Sequence, residues 1–353
     1  MMKSINGRIY GGLAFLLLGV IIVACSQGAI HFSYNQLWDF ILEQSGISNN
    51  QWPALDKEVF FQIRLPRVLM CAVVGAALSM SGTLMQALFR NPIVEPGLIG
   101  TSSGAALGAA SVFVLGKQMT WVTGSVFEPI LLPAAAFAGG LLATIIVFKV
   151  SNTKGRVIVA TMILAGVAVN AIAASGTGFL SYIARDPQAR SITFWNLGTF
   201  SGADWLGLAL VLTATIISFV LALRYAKSLN ALLLGEAEAL HLGVSVESLK
   251  WKIILINTLM VGVATALVGV IGFVGLVVPH LLRMIGGSDN RFLLIGSALL
   301  GAVWLVLADL LARIVMAPAE LPIGIITALV GAPVFLMMLI NQVRSEKKGG
   351  FYA

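Results

Sequence analysis

Residues 253–282, IILINTLMVGVATALVGVIGFVGLVVPHLL, decide how this chain folds. They form a run of 30 residues without a charged side chain. As one helix at ~1.5 Å per residue it would be about 45 Å long, well beyond the ~30 Å hydrocarbon core of a bilayer. The run contains Gly269, Gly272, Gly275 and Pro279, and clustered glycine and proline punctuate helices. It is therefore expected to break near Gly269 to Gly272 into a full-length helix and a shorter one ending at Arg283.

Outward from that point, further apolar stretches of spanning length lie at 9–28, 68–89, 98–116, 130–150, 157–184, 205–223, 292–308 and 321–340. Splitting 253–282 gives ten crossings, and leaving it whole gives nine. Lysine and arginine collect on the cytoplasmic side of membrane proteins, so their distribution decides between the two. With a cytoplasmic amino terminus, ten crossings put 15 of the 22 Lys and Arg inside and 7 outside. With nine, Arg283, Arg291, Arg344, Lys347 and Lys348 move out, Arg313 moves in, and the sides tie at 11 each. The sequence predicts an all-α polytopic membrane protein with about ten transmembrane helices, both termini cytoplasmic, and residues 1–353 as one transmembrane domain.

Composition agrees. The 353 residues are 58% hydrophobic and 10% charged, with a mean hydropathy of +0.96, whereas soluble domains carry roughly a quarter charged residues. The net charge of +7 reports topology, so nucleic acid is not an expected partner and membrane lipid is. The amino terminus, MMKSINGRIYGGLAFLLLGVIIVAC, imitates a lipoprotein signal, but the membrane pattern that follows favours a first spanning helix. Cys25 and Cys71 both lie in apolar runs and form neither a disulfide framework nor a metal spacing.

Two segments fall outside the spans. Residues 31–63 carry Trp38, Trp52, Asp39, Glu43, Asp56 and Glu58, and read as an amphipathic periplasmic segment at the interface. Residues 227–250, KSLNALLLGEAEALHLGVSVESLK, form the longest cytoplasmic insertion. They predict a short helix at Ala231 to Leu234, a break at Gly235, a second helix at Glu236 to Leu242 and a stop at Gly243. Leu232, Leu233, Leu234, Leu240 and Leu242 give this pair an apolar side too short to span. It is either an interfacial loop or a docking surface for a cytoplasmic partner, and on the second reading Ala237→Pro would break it.

Catalytic signatures are missing. The sequence has no GxxxxGK[ST] phosphate loop and no HExxH, and His31, His241 and His280 are far apart. No metal site and no cofactor is expected, and His280, beside Pro279, reads as a helix-end residue. GTSSGAALGAA at 100–110 resembles a nucleophile elbow only superficially, because small residues at that density let membrane helices approach closely. Ionisable groups are scarce away from helix ends, and Asp309 lies four residues before Arg313, the spacing of a local ion pair. That scarcity argues against a stand-alone secondary transporter or channel, which would need membrane-centre carboxylates or an ion site. A partner ATPase would supply the energy instead.

RLPRVLMCAVVGAALSMSGTLMQALFRNPIVEPGLIGTSSGAALGA (64–109) resembles the signature of the FecCD family of ABC importer permeases. GFVGLVVPHLLRMIGGSDNRFLLIGSALLGAVWLVLADLLAR (272–313), AELPIGIITALVGAPVF (319–335) and LNALLLGEAEALHLGV (229–244) extend the resemblance over essentially everything beyond residue 60. The family imports iron-siderophores, haem and cobalamin across bacterial inner membranes. The resemblance implies a non-enzymatic permease subunit that dimerises, served by separate ATP-binding cassette subunits and a periplasmic substrate-binding protein. It places ATPase coupling at Leu232, Leu233, Gly235, Glu236, Ala237, Leu240 and Gly243. It implies a gate at Ile158, Val159, Ala160, Thr161 and Met162, and a path along the following helix with Asn170, Ser175, Thr177 and Ser181. Arg64, Arg67 and Arg313 match arginines that meet the binding protein. No His, Tyr or Cys array is placed to ligate a haem iron, so bulky cargo would pass without tight binding; an iron chelate, haem or siderophore, is the first expectation and cobalamin the alternative.

Overall fold

The computed structural model describes residues 2–28, 30–44, 52–116, 128–153 and 155–347. Lys117, Lys154 and Lys348, three charges used in the topology argument, and residues 45–51 of the interfacial segment lie outside them. In chain order the helices are α1 (Met2–Ser26), α2 (Tyr34–Gln44), α3 (Ala54–Glu58), α4 (Leu65–Phe89), α5 (Thr101–Leu115), α6 (Glu128–Ser151), α7 (Val159–Ile183), α8 (Gln188–Asn196), α9 (Trp205–Leu234), α10 (Glu236–His241), α11 (Val246–Val268), α12 (Val274–Gly286), α13 (Asn290–Ile314) and α14 (Ile323–Lys347). A π-helical turn, Val59–Arg64, leads into α4, and a 3-10 turn, Pro96–Ile99, precedes α5. Strands β1 (Asn152–Thr153) and β2 (Arg156–Val157) pair as an antiparallel hairpin between α6 and α7.

Among the described residues, eight helices are long and apolar enough to cross a membrane, and α5 and α12 are shorter apolar helices. Each expected crossing has its helix. The decisive run breaks where expected: α11 ends at Val268, Gly269 takes φ +78°, and α12 starts at Val274. Two details differ. Helix α12 continues past Arg283 to Gly286, so His280 lies inside the helix and not at its end. The expected short helix at Ala231 to Leu234 is the last turn of α9, because no glycine or proline interrupts the sequence between Trp205 and Gly235 apart from Gly207 in the first turn.

The most enclosed helix is α4, packed by α13, α9, α11, α12 and α1. Three of its polar residues reach across helices: Thr83 Oγ1 lies 2.9 Å from Ser297 Oγ, Ser81 Oγ donates to Asn257 Oδ1, and Gln86 Nε2 donates to the Leu276 carbonyl at 3.2 Å. Glycines set how closely the backbones approach. A Cβ on Gly75 would collide with the carbonyl of Gly301, and one on Gly82 with that of Gly275. Close approach through small residues, with polar side chains bridging helices, is how membrane helices associate where lipid removes the hydrophobic drive.

Helices α5 and α12, about 22 Å and 20 Å at ~1.5 Å per residue, are too short to span a bilayer alone. Each is preceded by backbone that is not α-helical, and these two lead-ins meet. Glu95 Oε1 accepts the Phe273 amide at 3.2 Å, and Pro96 packs where a Gly275 Cβ would project. Irregular backbone at membrane depth persists only when protein groups satisfy it, and this carboxylate satisfies the first amide of the α12 entry.

Candidate coupling, gate and docking sites

The docking and coupling residues expected from sequence lie toward the two ends of α9. At its first residue, Trp205 Nε1 donates to the Phe61 carbonyl at 2.9 Å, next to Arg64. At its last turn the chain enters α10. The docking candidates therefore lie at one end of the bundle and the coupling candidates at the other.

At the α10 end, Gly235 (φ +137°) and Gly243 (φ +80°) bracket the six-residue helix. Leu232 is buried beneath it, whereas Leu233, Leu234, Ala237, Leu240 and Leu242 are exposed, Leu240 at 60% and Leu242 at 63%. Apolar side chains therefore crowd an outward face, beside an open cleft of about 490 Å³ lined by Tyr225, Lys227, Ser245 and Lys252. Ala237 holds the second helical position, where the amide has no intrahelical acceptor and proline is tolerated. The expected break by Ala237→Pro moves to Ala239, which is buried and donates its amide to the Gly235 carbonyl at 3.0 Å.

The gate candidates open α7 directly after the hairpin. Ile158 and Ala160 are exposed, Val159 and Thr161 half-buried, and Met162 buried. Farther along α7, Met162, Gly166, Ala173 and Thr177 face inward, while Leu164, Ile172, Ser175, Phe179 and Tyr182 face outward. Of the path candidates, Ser175 lies on the outward face and Ser181 is half-buried. Asn170 accepts from Ser103 Oγ on α5, and Thr177 donates to the Ala173 carbonyl of its own helix at 2.9 Å, so both are engaged within the subunit.

The arginines come together at the opposite end, and all three are buried, with 6–8% of their surface exposed. Asp309 sits between two guanidinium groups: its Oδ1 accepts from Arg67 Nη2 at 2.9 Å and its Oδ2 from Arg313 Nε at 2.9 Å. Arg67 Nη1 also reaches both oxygens of Glu320, at 2.8 and 2.9 Å. Arg313 donates to the carbonyls of Ala24 and Gln27, and Arg64 to those of Gln27 and Ile30. Two cations thus cap the carboxyl end of α1, where unpaired carbonyls and the helix dipole favour positive charge. The geometry joins α1, α4 and α13 and spends these donors internally, whereas the sequence reading had them facing a partner. Nearby, Phe32, Phe40 and Phe60 pack edge-on and tilted, and Trp52 Nε1 donates to Asp39 at 3.1 Å, giving the 31–63 segment an aromatic core of its own.

The FecCD transport family model matches residues 16–341. The chain belongs to the FecCD transport family. Among its relatives is the hemin transport system permease protein HmuU of Yersinia pestis, 40% identical over 349 residues, spanning 98% of this chain and all of HmuU. The vitamin B12 import system permease protein BtuC of Vibrio cholerae is 36% identical, covering 93% of this chain and 94% of BtuC. A solved structure described as an inward-facing conformation of a putative metal-chelate type ABC transporter superposes with a TM-score of 0.81 at 31% identity, covering 95% of this chain and 99% of that one. As a FecCD protein, the chain is a multi-pass membrane component of a transport system.

Two polar groups in this FecCD chain, half-buried Glu95 and buried Lys250, are not singled out by the sequence. Glu95 stood within the quoted motif but had no assigned role, and its partner lies 178 residues away. Lys250, at the α10 end, had been counted only as a positive charge on the cytoplasmic side. Its side chain is nearly inaccessible and paired with two carboxylates.

Proposed function

We propose that this chain is the permease subunit of a binding-protein-dependent ABC importer for an iron chelate, haem or a siderophore complex, in a bacterial inner membrane. Two copies would form a homodimer around the path, with the α10 end and both termini cytoplasmic and the arginine end periplasmic. Separate ATP-binding cassette subunits would dock on residues 227–250, and a substrate-binding protein would deliver cargo beside the 31–63 segment. The observation that carries this reading is the end-to-end relationship to a hemin permease. The outward apolar face of α10 supports it, since exposed apolar patches mark interaction sites. The BtuC relatives favour cobalamin as the second reading. A stand-alone ion-coupled transporter is less well supported, because the buried carboxylate Asp309 is taken by two arginines and Glu95 by a backbone amide.

Docking on α10 has a direct test. Leu240→Asp places a carboxylate on the apolar face and is expected to weaken ATPase association at least about tenfold. Ala239→Pro removes the amide bond to Gly235 and is expected to abolish ATP-driven uptake while the bundle remains folded. Pull-down affinity and vesicle uptake measure the two effects, and wild-type values in both variants would return the segment to an interfacial loop. Cargo is tested by offering haem, a ferric siderophore and cobalamin to the assembled system, with haem or the siderophore expected to be taken up in preference.

A further inference from the structure

A buried ammonium ties the coupling segment to the gate. Lys250 is the fifth residue of α11, and its side chain is 3% exposed. Its Nζ donates to the Val157 carbonyl at 3.0 Å, to Glu236 Oε2 at 3.0 Å and to Glu247 Oε1 at 3.1 Å. An ammonium has three protons to donate, and here three partners take them. Glu247 closes the ring, because its Oε2 accepts the Val157 amide at 2.7 Å. Both backbone groups of Val157 are therefore held by side chains of α11. Val157 ends β2 and precedes Ile158, the first gate candidate, whose own amide donates to the Ser151 carbonyl at 3.1 Å. Glu236 is the first residue of α10. Trp251, next to Lys250 in sequence, packs against Phe148 on α6 with ring centroids 4.3 Å apart.

A buried charge is tolerated only while its partners stay in place. Moving α10 alone would strip Glu236 from Lys250, and moving the hairpin alone would strip the Val157 carbonyl. We propose that Lys250, with Glu236 and Glu247, is the mechanical link that makes α10 and the gate hairpin move as one body, so that displacement of α10 reaches Ile158 to Met162. This rests on the permease reading, in which α10 meets the ATPase and the start of α7 guards the path. The three are positioning residues, since they touch neither nucleotide nor cargo.

The test uses the full chain assembled with its ATPase and binding protein in proteoliposomes, with haem as the probe, and reads haem moved per ATP hydrolysed. Glu236→Gln and Lys250→Met are expected to lower this ratio at least about fivefold while hydrolysis continues. Lys250→Arg, which keeps charge and donors, should retain most of it. The double variant should fall no lower than Lys250→Met, because the contact weakened by Glu236→Gln is among the three that Lys250→Met removes. Glu236 is partly exposed, so Glu236→Gln decides the matter if Lys250→Met fails to assemble. A wild-type ratio in Glu236→Gln, or transport and hydrolysis falling in proportion, would overturn the link. A wild-type assembly that moves neither haem nor a ferric siderophore nor cobalamin on ATP removes the permease reading and the link with it.

Discussion

Asp309→Ala is expected to destabilise this protein by about 3–5 kcal/mol, the usual cost of stranding a buried charge. Asp309 is 2% exposed and supplies a carboxylate to two guanidinium groups that are themselves buried. Without it, Arg313 retains only backbone carbonyls at the end of α1, and Arg67 retains Glu320, which is 43% exposed and therefore screened by water. The junction of α1, α4 and α13 should loosen first. Thermal unfolding of the purified protein in detergent measures the effect, with a lower midpoint and lower accumulation in the membrane expected. Glu320→Gln, at the wet edge of the same cluster, should cost far less. Equal midpoints for wild type and Asp309→Ala would mean that the ion pairs contribute nothing to stability.

Gly82→Val should come next in magnitude. The first added carbon would overlap the Gly275 carbonyl and lie against the Gly275 backbone, which cannot rotate away as a flexible side chain would. Helices α4 and α12 must then part, opening the bonds from Gln86 to the Gly275 and Leu276 carbonyls. Overpacking of this kind costs about 1–3 kcal/mol, and the same unfolding measurement should register it. Gly11, on α1, has open space where a Cβ would project. Gly11→Ala is therefore the matched control and should leave the midpoint unchanged.

The crossings were legible because apolar length and charge asymmetry are local signals, and the break at Gly269 combined an overlong run with clustered glycines. The end of α9 was not legible by the same means. Lys227 and Asn230 interrupt the apolar pattern, but helix propensity continues to Gly235, so hydropathy ends before the helix does. The Asp309–Arg313 pair was readable from its four-residue spacing. Arg67 was not, because its two carboxylates lie 242 and 253 residues away. The same separation in sequence hides the partners of Arg64, Arg67 and Arg313, which bind helix ends and carboxylates of their own chain. Asn170 illustrates a different limit: a small polar residue on a helix of small residues does not reveal which face is buried, and packing turned it toward Ser103.

If the proposed function holds, this chain carries cargo and takes its energy from another polypeptide. The most direct measurement is ATP-driven uptake of haem or a ferric siderophore into proteoliposomes, comparing the chain alone with the chain joined by its ATP-binding cassette subunit and its binding protein. On the permease reading, neither hydrolysis nor uptake is expected of the isolated chain, and ATP-dependent uptake only of the complete assembly. Nucleotide turnover by the chain alone, or uptake driven by an ion gradient without the ATPase, would contradict it.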